Sequence, residues 1–116
     1  PRGYMETRHI GNQVRVMIHD ALDAFARLDV DQALRVLLAD ADIDREYQSA
    51  TRTLMTYMIE DPRHISRVIN VMWVLRSLER IGDHARNISE QVIYMVKGLD
   101  VRHTSMEEIE QKVQER

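Results

Sequence analysis

The sequence predicts an all-α fold, an antiparallel up-down-up three-helix bundle followed by a short C-terminal helix. Three observations carry this. Apolar residues recur at spacings of three and four along three long segments. Only two prolines and four glycines punctuate the 116 residues, which leaves room for a few long elements. Leu, Ile, Val, Ala and Met supply the apolar positions while aromatics make up 5%, a set suited to helix packing rather than to a sheet.

The first helix is expected over about residues 6–27, with Ile10, Val14, Met17, Ala21 and Ala24 on one stripe and Ile18, Leu22 and Phe25 beside it. Leu28-Asp29-Val30-Asp31 reads as a short turn in which Asp29 or Asp31 can cap the next helix. That second helix runs from about Asp31 to Ile59, with Val36, Ile43, Tyr47, Ala50, Leu54 and Tyr57 as its stripe. Glu60-Asp61-Pro62 stops it, because proline drives its predecessor out of the helical region, and the same proline suits the first turn of a third helix. The third helix extends to about Lys97. Its seam reads Val71, Val74, Leu78, Ile81, Ala85, Ile88, Val92, Met95, with Gly98 as the terminating residue. Ser105-Met106-Glu107-Glu108 resembles a capping box that opens a short fourth helix. Short connections between long amphipathic helices make neighbours antiparallel, and about 1.5 Å per residue makes the second and third helices roughly 40–50 Å long.

Composition narrows the function classes. Residues 1–116 form one domain's length of ordinary globular sequence. The absence of cysteine excludes disulfides, thiolate metal sites and a cysteine nucleophile. A net charge of −3 speaks against nucleic-acid binding through a basic face. No apolar run reaches the roughly 20 residues that span a bilayer, so no integral membrane segment is expected and the chain is placed in the cytoplasm. Ile65, Ile69, Met72, Trp73 and Leu75 lie beyond the main seam of the third helix, and an apolar surplus of that kind predicts self-association, as a homodimer.

The chemistry-bearing pattern is a pair of acidic pairs, Asp40-x-x-x-Asp44 and Glu79-x-x-x-Asp83. Residues four apart share a helix face. In an antiparallel hairpin, residues at one level have numbers of constant sum. Asp44 with Glu79 and Asp40 with Asp83 share that sum, and its midpoint falls between Asp61 and Pro62, where the turn is expected. The four carboxylates should therefore meet at matching heights, with Asn87 and Glu90 continuing the polar edge. Their mutual repulsion calls for a cation. Either a divalent or trivalent metal (Mg²⁺, Mn²⁺, iron or Zn²⁺) or the arginines nearby in sequence, Arg45, Arg76, Arg80 and Arg86, can answer it. Gly82, inside the third helix beside Asp83, serves either close helix packing or access to that patch. His19 lies near the level of Asp40, and His84 follows Asp83. Glu6-x-x-His9 is a single element of a di-iron pattern whose second element is missing. No catalytic motif is present, so no catalytic residue is assigned and an enzyme is not expected.

Several stretches resemble the PhoU family of phosphate-signalling regulators: Leu54-Met55-Thr56-Tyr57-Met58-Ile59-Glu60-Asp61-Pro62-Arg63, Ser77-Leu78-Glu79-Arg80-Ile81-Gly82-Asp83-His84, Asn87-Ile88 and Gly98-Leu99-Asp100-Val101-Arg102-His103. The resemblance covers about residues 14–103 and looks like the C-terminal half of a protein built from two three-helix bundles. It implies an E(D)-x-x-x-D metal motif falling on Asp40, Asp44, Glu79 and Asp83. It further implies a non-enzymatic adaptor that represses the phosphate-starvation response. Its implied partners are a phosphate ABC transporter ATPase and a sensor histidine kinase, met at the inner face of the membrane. The Asp/Asp pair on the second helix departs from the Glu-containing form. The alternative from another class is a carboxylate-bridged di-metal enzyme or metal-storage bundle, for which His19 is the one candidate histidine ligand.

Overall fold

A computed structural model describes residues 4–98 and 106–115. Four helices follow one another: α1 (Tyr4–Arg27), α2 (Val30–Glu60), α3 (Ile65–Lys97) and α4 (Met106–Glu115), with a 3-10 turn at Pro62–His64 between α2 and α3. The three long helices pack on one another in an up-down-up bundle of 55 × 25 × 16 Å. Ser105, the expected cap of α4, and Leu99 to His103 lie outside the described residues.

Local chemistry explains the boundaries. Leu28 ends α1 in the left-handed region (φ 54°), with Asp29 donating its backbone N–H to Ala24 O at 2.9 Å. Asp29 then caps α2, its carboxylate accepting from Gln32 N–H at 3.0 Å. At the far end Asp61 accepts from the backbone and guanidinium of Arg63, which pull its carboxyl below the ordinary carboxylate value. His64 stacks on Tyr57 with ring centroids 4.7 Å apart. Gly98 closes α3 at φ 71°, a conformation that favours glycine, and donates to Tyr94 O at 2.8 Å.

The core divides into two clusters. The larger joins Ile10, Val14 and Met17 of α1, Val36, Ile43, Tyr47 and Leu54 of α2, and Val68, Leu75 and Ala85 of α3. The smaller, at the end where α1 turns into α2, joins Ala24, Val30, Ala33, Leu37, Val92 and Ile93 with Ile109 and Val113 of α4. A ten-residue helix is marginal alone, so α4 depends on this apolar contact.

The stripes expected for α1 and α2 are the buried ones, except that Tyr57 is half-buried. The seam expected for α3 is rotated. Ala85 and Val92 are buried, and Val71, Leu78 and Ile88 are half-buried, but Val74, Ile81 and Met95 are exposed. Val68, Leu75, Gly82, Ser89 and Ile93 take the interior instead. Leu75, expected to be surplus, is 4% exposed and belongs to the core. Both registers alternate by three and four, and α3 carries enough apolar residues to satisfy either. Contact with two neighbours, rather than periodicity, selects the buried one.

Candidate metal-binding face

Along α2, Leu37, Asp40, Asp44, Tyr47 and Thr51 follow one another at helical spacing on the side that meets α3. On α3 the facing positions are Arg76, Glu79, Asp83, Arg86 and Glu90. The antiparallel register expected from the Asp61-Pro62 turn therefore holds. Arg86 Nη1 stands 3.4 Å from Asp40 Oδ2 and 3.7 Å from Asp83 Oδ1, and its Nε lies 3.8 Å from Glu90 Oε1. A Cβ placed on Gly82 would sit 3.9 Å from Asp40 Oδ1, an ordinary contact. Gly82 is thus buried against Asp40, and its packing does not demand glycine.

The carboxylates on the two helices influence one another's charge. Asp40 is 7% exposed, and its carboxyl is raised from 3.8 to about 6. Burial is the largest cause; the negative charges of Asp44 and Asp83 add to it, and Arg86 opposes. Asp44 is raised too, by burial and by Asp83, again against Arg86. Beneath them the Tyr47 phenol is pushed well above its ordinary range, first by burial and then by Glu79, Asp83, Asp40 and Asp44. All four sequence-derived carboxylates thus act on one hydroxyl. That hydroxyl is buried and finds no hydrogen-bond partner in the protein.

Asp40, Asp44 and Asp83 form the centre of the patch. Glu79 stands at its edge, bordering an open groove of about 420 Å³ lined by Tyr47, Thr51, Ile69, Met72, Trp73 and Arg76. Among the described residues no three carboxylates or histidines stand close enough to share one ion, and the guanidinium of Arg86 lies among Asp40, Asp83 and Glu90. Asn87 is exposed and Glu90 buried. In donor chemistry alone the set suits a hard cation: it is all oxygen, drawn from two helices, beside an unsatisfied phenol. Of the other arginines, Arg45 is turned away to Asp42. His19 is exposed and pairs with its neighbour Asp20 at 3.5 Å, and His84 is exposed. Two participants escaped the sequence reading. In the sequence Tyr47 is a core position and Arg86 one of four nearby arginines; spacing to Glu90 and Asp83 on α3 singles Arg86 out.

A family model described as the PhoU domain matches residues 7–92, some three quarters of the chain. The chain belongs to the PhoU family. It is 66% identical over 98% of its length to the phosphate-specific transport system accessory protein PhoU homolog of Pseudomonas putida, of which it covers 44%. To the Pseudomonas aeruginosa homolog it is 61% identical over 98% of its length, covering 47% of that protein. It is 46% identical to the Escherichia coli PhoU over 87% of its length, covering 42%. The crystal structure of PhoU from Pseudomonas aeruginosa superposes with a TM-score of 0.83 at 66% identity, over 85% of this chain and 47% of that one. The chain therefore spans about half the length of the PhoU relatives it matches, and the PhoU domain match ends at residue 92, before α4.

Proposed function

We propose that this chain supplies the carboxylate-bearing bundle of a non-enzymatic regulator of phosphate uptake and of the phosphate-starvation response. The observation that carries the reading is the 66% identity, over nearly the whole chain, to a protein named as a phosphate-specific transport accessory protein. The regulator works at the cytoplasmic face of the membrane as an adaptor between a phosphate ABC transporter ATPase and a sensor histidine kinase. No helix among the described residues is long and apolar enough to cross a membrane, which is consistent with a peripheral role. In this reading Asp40, Asp44, Glu79 and Asp83 hold a divalent or trivalent cation, and Tyr47 lies beneath them. The ion neutralises the patch and ties α2 to α3, a link that a partner can read.

Two measurements test this. Mn²⁺ is expected to raise the melting temperature at pH 7 and to do so far less at pH 4.5, where Asp40, whose carboxyl is raised to about 6, holds its proton. The Glu79→Ala/Asp83→Ala variant should lose that gain. The same pair of changes in a full-length relative should relieve repression of phosphate-starvation genes while the protein stays folded. Normal repression by a stable double variant would remove the carboxylates from signalling.

A further inference from the structure

We propose that Arg86 is a resident counter-cation of the carboxylate patch, which a bound metal ion must displace. This rests on the metal reading above and adds to it a regulatory device within the chain.

The contacts set Arg86 apart from a fixed salt bridge. Its guanidinium reaches three acids at 3.4, 3.7 and 3.8 Å, all longer than the charge-assisted hydrogen bonds of a locked pair. By contrast, Arg63 grips both oxygens of Asp61 at 2.9 and 3.0 Å. Arg86 is therefore shared among Asp40, Asp83 and Glu90 rather than committed to one of them.

Its side chain is 40% exposed, so solvent is open to it, whereas those of Asp40 and Glu90 are each 10% exposed. Asp40 and Glu90 are held in the interface, whereas Asp83, 48% exposed, and Arg86 both face solvent, which leaves the guanidinium room to swing away. Its place on α3, three residues after Asp83 and four before Glu90, keeps it on the carboxylate face. Asp40, reached across the helix interface from α2, is one of the proposed metal donors, as is Asp83. A cation and the guanidinium therefore compete for the same oxygens. The buried Tyr47 hydroxyl, without a partner in the protein, independently marks the space beneath the patch as polar and unsatisfied.

Displacement has a defined cost. Without metal, Arg86 stabilises α2 against α3 by relieving carboxylate repulsion. With metal, its positive charge opposes the incoming ion. Removing it should weaken the metal-free protein and strengthen metal binding, two effects of opposite direction from one change. A merely structural arginine would give the first without the second.

The experiment is Mn²⁺ calorimetry at pH 7 on the chain and on Arg86→Gln and Arg86→Lys, with melts in chelator. Expected is at least tenfold tighter Mn²⁺ binding by Arg86→Gln, with a lower chelated melting temperature. Arg86→Lys, which keeps the charge, should bind within a few-fold of the parent. Binding by Arg86→Gln alone would be the same result in its strongest form. If the parent binds Mn²⁺ and Arg86→Gln binds no tighter, the displacement idea falls and the metal reading stands. If no protein binds, both fall. Should Arg86→Gln fail to fold, the Mn²⁺-bound crystal structure of the parent decides. The guanidinium turned away from Asp40 supports displacement, and one still 3.4 Å from it overturns the idea.

Discussion

Leu28 holds a left-handed backbone conformation (φ 54°) with its side chain half exposed, so little packing offsets the steric cost of its Cβ. That conformation costs a non-glycine residue roughly 1–2 kcal/mol. Leu28→Gly should therefore stabilise the protein by about 0.5–1 kcal/mol after the extra chain entropy of glycine is subtracted, seen as a higher melting temperature. Asp40 makes a sharper residue-scale prediction. Its folded carboxyl titrates near 6 rather than 3.8, so the folded state holds its proton more tightly than the unfolded state does. The stabilisation is complete below the unfolded value and is lost as pH rises through about 6. At about 1.4 kcal/mol per pH unit it amounts to no more than about 3 kcal/mol. Asp44 is displaced in the same direction, while Asp61 is displaced in the opposite one and acts at lower pH. In chelator, the melting temperature should climb as pH falls from 7 to 5, and Asp40→Asn should flatten that slope. Constant-sum numbering located Asp40 opposite α3, because register depends only on the turn. It could not show that Arg86 reaches over Asp40 or that Tyr47 lies beneath it, since side-chain direction depends on packing across two helices.

At the scale of elements, α1 and α2 were legible because each has one apolar face, and caps such as Asp29 act within a single turn. The lesson of α3 is different. Leu75 and Val74 are neighbours, and periodicity admits either as the interior position. The structure buries Leu75 at 4% exposure and leaves Val74 at 49%. Leu75→Ala should cost about 2–5 kcal/mol, the range for truncating a buried leucine. Val74→Ala should change stability by under about 1 kcal/mol. Urea or thermal unfolding of the two variants would check the rotated seam directly, and equal losses would restore the unrotated one.

Over the whole molecule, the rotation leaves an apolar surplus that a lone bundle does not cover. α1 and α3 run parallel, with Gly11 facing Leu78. Leu22 and Phe25 further along α1 thus flank the same seam as Ile81 and Met95 of α3, and all four are 40–55% exposed. The carboxylates lie on the α2 side of α3, away from this seam, so association there need not interfere with the patch. Exposed apolar faces of this extent mark interfaces. A second copy of the chain presents the same apolar face and can cover it. The 116-residue protein should therefore form concentration-dependent dimers in light scattering. Val74→Glu/Ile81→Glu should render it monomeric while leaving its melting temperature at low concentration close to the parent's, because both side chains are exposed in the isolated bundle. A parent that stays monomeric at millimolar concentration would show that this face is stable in water. An equally dimeric variant would move the interface to the groove beside Ile69 and Trp73, where occupancy would also restrict access to Glu79.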